Sequence, residues 1–379
     1  MTKKVVVFTG GGSGGHVIPG ITLIKNLKAE FPSVSISYIG GINGIEGQLI
    51  RNIDIPYKAI YTGKLRRYFS IENFFDIFKL FLGMIQSFFY LMKFSNKNCL
   101  IFSTGGFVSV PVVIAGFLTR KKVFIHEQTS RVGLANRISS LFADKVFISF
   151  ESSKRYFRSD KVIFSGYPLR DECFQNFIKR DEVCGIDIKK NEKPILFATG
   201  GGNGSLLINN LILKNKEELQ KRFTIFHQVG KNFKKEFEAL NSSDYQSFDF
   251  LDEGIVDLFK VSSIVISRAG AGTVSELLAL KKPSLFIPLK IAQKNEQYHN
   301  AMEAKNKCGS EIIEEDFLDT DSFFRSISKL EKKVEGRSGD LVSEQLGTER
   351  EDNKAKDLIF NEIGSALNLT IPFKESSQL

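Results

Sequence analysis

The stretch VVVFTGGGSGGHVIPG, residues 5–20, sets an apolar run directly before a glycine loop, with His16 at the loop's exit and Pro19 behind it. Val5, Val6, Val7 and Phe8 read as a buried strand, and Pro19 suits the first turn of a following helix. The glycines let backbone approach a ligand closely, and the helix turns its positive end to the same point. Such a place suits an anion, most often a nucleotide or sugar phosphate. His16 adds a group that moves protons near neutral pH.

Gly10, Gly12 and Gly15 also match the dinucleotide fingerprint G-x-G-x-x-G. That fingerprint needs an acid at the end of the second strand to hold a ribose. Here the run Val34 to Ile39 ends in Gly40 and Gly41, and the loop lacks the Gly-Lys-Ser/Thr ending of a P-loop. A nicotinamide or flavin dehydrogenase is therefore disfavoured.

Outward from this unit, apolar runs at 4–8, 34–39, 99–103, 122–126, 145–149 and 161–165 alternate with helix-length segments around 18–31, 43–52, 71–94, 108–119 and 132–142. Strands alternating with helices predict βαβ units and a doubly wound parallel sheet. GYPLR (Gly166 to Arg170) and a polar stretch running to Lys193 then mark a boundary. A second series follows, with strands at 194–199, 222–228, 246–251, 263–267 and 283–288. The expected division is 1–165, 166–353, and a helix and tail at 354–379 that packs back on the first domain. Residues 331–353 read as a solvated or disordered segment, and an amphipathic helix is expected over 354–367.

The chain has 379 residues, 42% apolar and 25% charged, which allows two domains with proper cores. A formal charge of +9 favours acidic partners. Its four cysteines form no C-x-x-C pair, so neither zinc nor a disulfide framework is indicated, and a reducing compartment is the plain reading. The four-residue apolar run near the N-terminus is too short for a secretory signal. Residues 69–94, FSIENFFDIFKLFLGMIQSFFYLMKF, are apolar around most of a helix but interrupted by Asp76, Lys79, Gln86 and Lys93, so they do not span a bilayer. They read as a core helix or as an interfacial one; nearly all-round apolarity favours the core, while Lys64, Arg66, Arg67 and Tyr68 favour an anionic interface.

A second glycine loop opens SRAGAGTVSELLAL (Ser267 to Leu280), and a third lies in TGGGNGS (199–205). Each follows an apolar run and precedes a helix, so two domains could grip one diphosphate from opposite sides. Thr273 and Glu276 stand at capping-box spacing, and Glu276 also suits ribose hydroxyls. Arg268 reads as a phosphate contact or a surface pair. HEQ places His126, Glu127 and Gln128 at a strand's carboxyl end, where α/β proteins bind ligands. His16 and His126 lack a third ligand at metal spacing, and His227 and His299 read as structural or peripheral polar groups. Asp319-Thr320-Asp321 matches D-x-D but reads as a helix start with Asp321 as N-cap.

TGGGSGGHVIPG, STGGFVSVP, HEQ with GLANR, GYPLR, GGGNGS, HQVGK and SRAGAGTVSELLAL…NEQYHNA occur in this order over about residues 4–315. In this ordered set the chain resembles the MurG family. The resemblance implies two Rossmann-like domains facing a cleft, of the GT-B glycosyltransferase type, working at the cytoplasmic membrane face as a peripheral protein. It implies inverting transfer of N-acetylglucosamine from UDP-N-acetylglucosamine to the lipid I acceptor, with no metal or other cofactor, no nucleic-acid partner, an anionic membrane surface, and cell-wall synthesis proteins as further partners. By resemblance Arg170, Ala271, Gly272, Thr273, Val274 and Ser275 meet the diphosphate, Glu276 the ribose, Leu251 the uracil and Gln297 the sugar. Ser13, Gly14 and Gly15 close from the first domain, and the acceptor diphosphate lies over these and Gly105–Gly106. His16 or Glu127 would be the base. The family's asparagine after HEQ is Thr129 here, its serine in the third glycine loop is Gly202, and 290–294 is one residue longer. Both Thr129 and Gly202 fall at donor-contact positions. Another nucleotide-sugar enzyme of the same fold, such as a UDP-N-acetylglucosamine 2-epimerase or a glycolipid glucosyltransferase, is the rival. A non-catalytic scaffold is disfavoured because His16 and Glu276 are kept.

Overall fold

The computed structural model describes residues 3–63, 71–175, 177–179, 181–183, 186–188, 193–251, 254–292, 295–337 and 354–369. The chain divides into two units: Met1–Leu169 with Asn353–Leu379, and Arg170–Asp352.

In the first unit Val5–Thr9 (β1), Ser35–Gly41 (β2), Tyr57–Ile60 (β3), Cys99–Ser103 (β4), Lys122–Glu127 (β5), Lys145–Ile148 (β6) and Val162–Phe164 (β7) form one sheet in the order β3-β2-β1-β4-β5-β6-β7. Every pairing in it is parallel. Its inner strands are buried on both faces, which is why they appear in the sequence as unbroken apolar runs. The helices Gly14–Glu30 (α1), Ile45–Arg51 (α2), Ile71–Leu91 (α3), Ser109–Leu118 (α4) and Leu134–Phe142 (α5) separate the strands. The helix Lys354–Leu367 completes the core on one face, where Ile359, Phe360, Ile363 and Leu367 join Leu23, Leu27, Phe102 and Phe147.

In the second unit a 3-10 turn, Asp171–Phe174, precedes the short hairpin Glu182–Val183 (β8) and Ile186–Asp187 (β9). Its sheet comprises Ile195–Thr199 (β10), Thr224–Gln228 (β11), Tyr245–Phe248 (β12), Ser262–Ser267 (β13), Ser284–Phe286 (β14) and Glu311–Ile312 (β15), ordered β12-β11-β10-β13-β14-β15 and again parallel.

Strand order reverses between β1 and β4 in the first sheet and between β10 and β13 in the second. Ligands of open α/β sheets bind beyond the carboxyl ends of strands at such switch points. The three glycine loops leave from the carboxyl ends of β1, β10 and β13.

Several expectations are corrected. α1 begins at Gly14, so Pro19 is its sixth residue and lies inside the helix rather than in its first turn. β3, β15 and the β8–β9 hairpin were absent from the sequence reading; they are half-buried or two residues long, too little to leave a pattern. Residues 331–337 of the supposed solvated segment continue the helix Thr320–Arg337, with Leu330, the residue just before them, buried. That helix starts on Asp319, whose Oδ1 accepts the Ser322 N–H at 2.7 Å, so the capping acid is Asp319 and not Asp321. α3 is not the all-round buried helix expected: Ile77, Phe78, Phe81 and Phe89 are all more than half exposed. Lys64, Arg66, Arg67 and Tyr68 lie outside the described residues, as do 338–353 and 370–379. No helix among the described residues is long and apolar enough to cross a membrane.

Candidate active site

The first switch point brings three separate motifs together. Thr104 N–H donates to the Thr9 carbonyl at 2.8 Å, and Gly11 N–H donates to the Gly105 carbonyl at 3.2 Å, so the loops after β1 and β4 lie against each other. Gly106, at φ +83°, sits where a Cβ would come within 2.0 Å of the Gly11 carbonyl oxygen. No other residue fits there. Gly105 and Gly106 are both buried beneath the Gly10–Gly12 loop, while Ser13 and Gly15 are exposed at the start of α1.

Ser13 is the N-cap of α1, which leaves Gly14 and Gly15 amides at the helix's positive end with His16 next in its first turn. His16 Nδ1 lies 3.1 Å from the Thr104 carbonyl and 3.2 Å from Gln128 Oε1. Gln128 Nε2 donates to the same carbonyl at 2.7 Å, and to His126 Nδ1 at 3.3 Å. This pattern fixes the Gln128 amide with its oxygen toward His16. Both neighbours of His16 Nδ1 are then acceptors, so Nδ1 carries the proton and Nε2 keeps a lone pair. His126 donates from Nε2 to the Gly166 carbonyl at 3.2 Å. Burial pushes the His126 imidazole down to about 4 despite the opposing bond to Gly166, so it stays neutral.

Glu127 is buried and fully engaged. Its Oε1 accepts from Thr129 N at 2.9 Å and Thr129 Oγ1 at 2.7 Å, and its Oε2 accepts from Asn136 Nδ2 at 2.9 Å. It ties the loop after β5 to α5.

Glu46 was missed by the sequence reading. It is wholly buried, and its carboxylate accepts the Gly41 N–H at 2.8 Å and the Gly12 N–H at 3.4 Å. A Cβ at Gly11, Gly40 or Gly44 would strike its side chain within 2.8 Å. The glycines around it thus make room for one carboxylate under the loop. In sequence Glu46 stands four residues before Ile50, on the buried face of α2, but nothing there shows that glycines from other segments enclose its carboxylate.

At the second switch point the helix Ala271–Ala279 starts from Gly270, which makes no side-chain cap. Ala271, Gly272 and Thr273 occupy its first turn, and Val274, Ser275 and Glu276 are buried behind them. The expected capping box is therefore not formed. Glu276 Oε1 instead meets Arg170 Nε at 3.3 Å. Arg268 is no surface pair: Nε donates to Ser205 Oγ at 3.0 Å, and Nη1 donates to the Ile287 carbonyl at 3.0 Å and to Glu315. It braces the third glycine loop against β14.

That loop needs Gly204, at φ +75°, where a Cβ would meet the Val229 carbonyl at 2.0 Å. Gly202 is exposed on it, near the Phe250 ring. Gln228, also overlooked, holds the neighbouring segment: its Nε2 donates to Thr199 Oγ1 and the Gly201 carbonyl, and its Oε1 accepts the Leu251 N–H at 3.0 Å. Gln297 Oε1 accepts the Leu289 N–H at 3.0 Å. His227 is structural, as expected, bonded to Tyr245 and Asn209 inside the core. Among the described residues no group of three or more His, Cys, Asp or Glu is placed to hold a metal ion.

Residues 6–148 match the glycosyltransferase family 28 N-terminal domain, and residues 195–352 match the glycosyltransferase family 28 C-terminal domain. A curated relative from Clostridium tetani, named UDP-N-acetylglucosamine--N-acetylmuramyl-(pentapeptide) pyrophosphoryl-undecaprenol N-acetylglucosamine transferase, is 41% identical over 86% of this chain and 90% of its own. The chain belongs to the MurG family, within glycosyltransferase family 28. A Legionella pneumophila relative with the same name is 38% identical over 86% of this chain and 89% of its own. Among solved structures, an Acinetobacter baumannii MurG aligns with a TM-score of 0.68 at 21% identity, covering 94% of this chain and 99% of that one. A Neisseria meningitidis UDP-GlcNAc 2-epimerase aligns at 0.62 and 16% identity over 96% and 100%. These two likenesses speak to fold alone. The chain is a glycosyltransferase.

Proposed function

We propose that this chain moves N-acetylglucosamine from UDP-N-acetylglucosamine to the 4-hydroxyl of the muramyl sugar of undecaprenyl-diphospho-N-acetylmuramoyl-pentapeptide, with inversion and without a metal. The observation that carries the chemistry is the tautomer of His16. With Nδ1–H committed to Thr104 and Gln128, Nε2 is free to take the acceptor's hydroxyl proton. The oxygen then attacks C1 of the donor sugar as the C1–O bond to UDP breaks, and UDP carries away the bonding pair. Glu127 would have to give up three hydrogen bonds to do the same, so its part is to position the Thr129 loop.

The leaving diphosphate needs donors in place of a cation. Amides of Ala271, Gly272 and Thr273 at a helix N-terminus and the guanidinium of Arg170 are of that kind. Val274 and Ser275 seat that helix turn in the core. Glu276 is left to accept from ribose hydroxyls. Leu251 has spent its N–H on Gln228, so it offers uracil only its carbonyl, an acceptor for the ring's N3–H. Gln297, Gly202 and Thr129 would border the sugar. Ser13, Gly14 and Gly15 suit a phosphate, while buried Gly105 and Gly106 serve the acceptor by supporting that loop.

The acceptor's polyprenyl chain stays in a membrane. Exposed Ile77, Phe78, Phe81 and Phe89 on α3, with Phe117 and Leu118 on α4, supply an apolar face for peripheral attachment to the cytoplasmic leaflet. The reading is tested by the linkage formed: the anomeric proton coupling of the product should report a β-linked N-acetylglucosamine on O4. An α-linkage, or transfer to another hydroxyl, overturns it.

A further inference from the structure

Arg268 stands in the second glycine loop, directly after β13 and two residues before Gly270, the N-cap of the helix Ala271–Ala279. Its side chain is only 11% exposed, and its guanidinium reaches three other parts of the second unit. Nε donates to Ser205 Oγ at 3.0 Å, and Nη1 donates to the Ile287 carbonyl at 3.0 Å and to Glu315 Oε1. Ser205 closes the third glycine loop after β10, Ile287 follows β14, and Glu315 opens the turn Glu315–Phe317 beyond β15. One side chain therefore ties together the carboxyl ends of four strands. Ser205 is a junction as well, because its Oγ also accepts the Ile208 N–H at 3.4 Å as N-cap of the helix Leu206–Lys214. A Cβ at Gly200 would come within 2.2 Å of the Ser205 nitrogen, so the third loop is folded tightly on this residue.

A guanidinium taken this far from water keeps its place only where a carboxylate and well-aimed acceptors meet it. Glu315 supplies that carboxylate, and its own side chain is 20% exposed. The next residue, Asp316, pairs with Lys290, but those side chains are 59% and 61% exposed. Solvent screens that second pair, which leaves it little hold on the loops. The acid that counts in this turn is Glu315.

We propose that Glu315 is a positioning residue for donor binding: by holding Arg268 on Ser205, it sets the third glycine loop in place against the amides that open the helix Ala271–Ala279. The inference rests on the donor reading above and deepens it, since it commits Arg268 to the loop and away from the diphosphate. A loop that is already ordered costs nothing to order when the donor arrives, so loss of the brace weakens binding more than it slows the chemistry. The contrary reading keeps Arg268 as a phosphate ligand that Glu315 restrains. Release from Glu315 would then strengthen donor binding, so the two readings differ in sign.

Calorimetric titration of the whole chain with UDP, beside initial rates with UDP-N-acetylglucosamine, tests it. Glu315→Ala should weaken UDP binding about five- to tenfold and raise the donor KM in proportion, with a much smaller change in kcat. Glu315→Gln, which keeps an acceptor for Nη1, should weaken it only about two- to threefold. Ser205→Ala should act like Glu315→Ala, and the two together should fall no more than about twofold below the poorer single variant, because both work through Arg268. Asp316→Asn, which removes the same charge one residue on, should stay within about twofold of wild type. Tighter UDP binding by Glu315→Ala, effects that multiply in the double variant, or an equal loss in Asp316→Asn overturns the proposal. So does a lowered kcat with UDP affinity unchanged, which is the mark of a chain that folds less completely. A wild type that binds no UDP overturns the donor reading and this proposal with it, and that failure is told from the others by the wild type alone.

Discussion

His16 Nδ1 and Gln128 Oε1 stand 3.2 Å apart, and the donor in that contact is the histidine. The amide cannot turn round without facing its oxygen to the Thr104 carbonyl, so Gln128 holds His16 in the tautomer whose Nε2 is bare. His16→Ala should therefore lower kcat by roughly 10²–10⁴ with a small change in the donor KM. Gln128→Leu should cost about five- to tenfold, the worth of a hydrogen bond of ~1–1.4 kcal/mol. Gln128→Glu puts a negative charge beside the imidazole and should move the acidic limb of kcat/KM upward in pH. An unmoved limb with lowered kcat would mean that Gln128 only supports the loop.

Arg170 and Glu276 form an ion pair at 3.3 Å. Each is expected to contact a different part of the donor, so each single replacement both removes a ligand contact and releases its partner. Arg170→Ala and Glu276→Ala should each raise the donor KM by about tenfold or more, from charged hydrogen bonds worth ~1.5–3 kcal/mol. Their effects should fall short of additive in the double variant. Strict additivity measured by initial rates would count against a shared donor site.

The Glu46 carboxyl group sits beneath the glycine loop with two backbone N–H groups as partners. Glu46→Gln keeps the shape but sets an amide donor against one of those N–H groups. We expect about 2–3 kcal/mol lost from the first unit's unfolding free energy, read by urea denaturation. The donor KM should change less than kcat, because the loop it supports carries His16 on α1. Wild-type stability in this variant would show that the carboxylate is not what holds Gly12.

His126 and His227 are both held neutral by burial, at about 4 and about 3. In the unfolded chain each takes a proton near pH ~6.5. Between those values the unfolded state binds more protons, so this stability is full above the unfolded value and is lost as pH falls toward the folded one. One histidine lies in each unit, so both units should lose urea resistance between pH 7 and 4.5. His227→Gln should be weaker at pH 7 but show a shallower pH slope in the second unit. An unchanged slope would exclude His227 as a source of it.

The parts legible in the sequence were those whose physics is local. Val5 to Phe8 and Ile195 to Ala198 are buried on both faces, and only a parallel sheet makes such runs useful. The glycine loops announced themselves because glycine is required there regardless of what surrounds it. Glu46 was illegible because its burial is created by glycines from separate segments. Asp319 and Asp321 are equally good caps in sequence, and the register of the helix Thr320–Arg337 alone selects between them. α3 misled for a different reason: apolarity around a helix says that it avoids water, not whether protein or another apolar medium replaces it. Phe78 and Phe81 face outward.

Labelled N-acetylglucosamine should pass from UDP-N-acetylglucosamine to a lipid I analogue in the presence of EDTA, and His16→Ala should abolish nearly all of it. A well-folded chain that makes no disaccharide, but releases UDP with an epimerised sugar or transfers only when a divalent cation is restored, would contradict the proposed transfer.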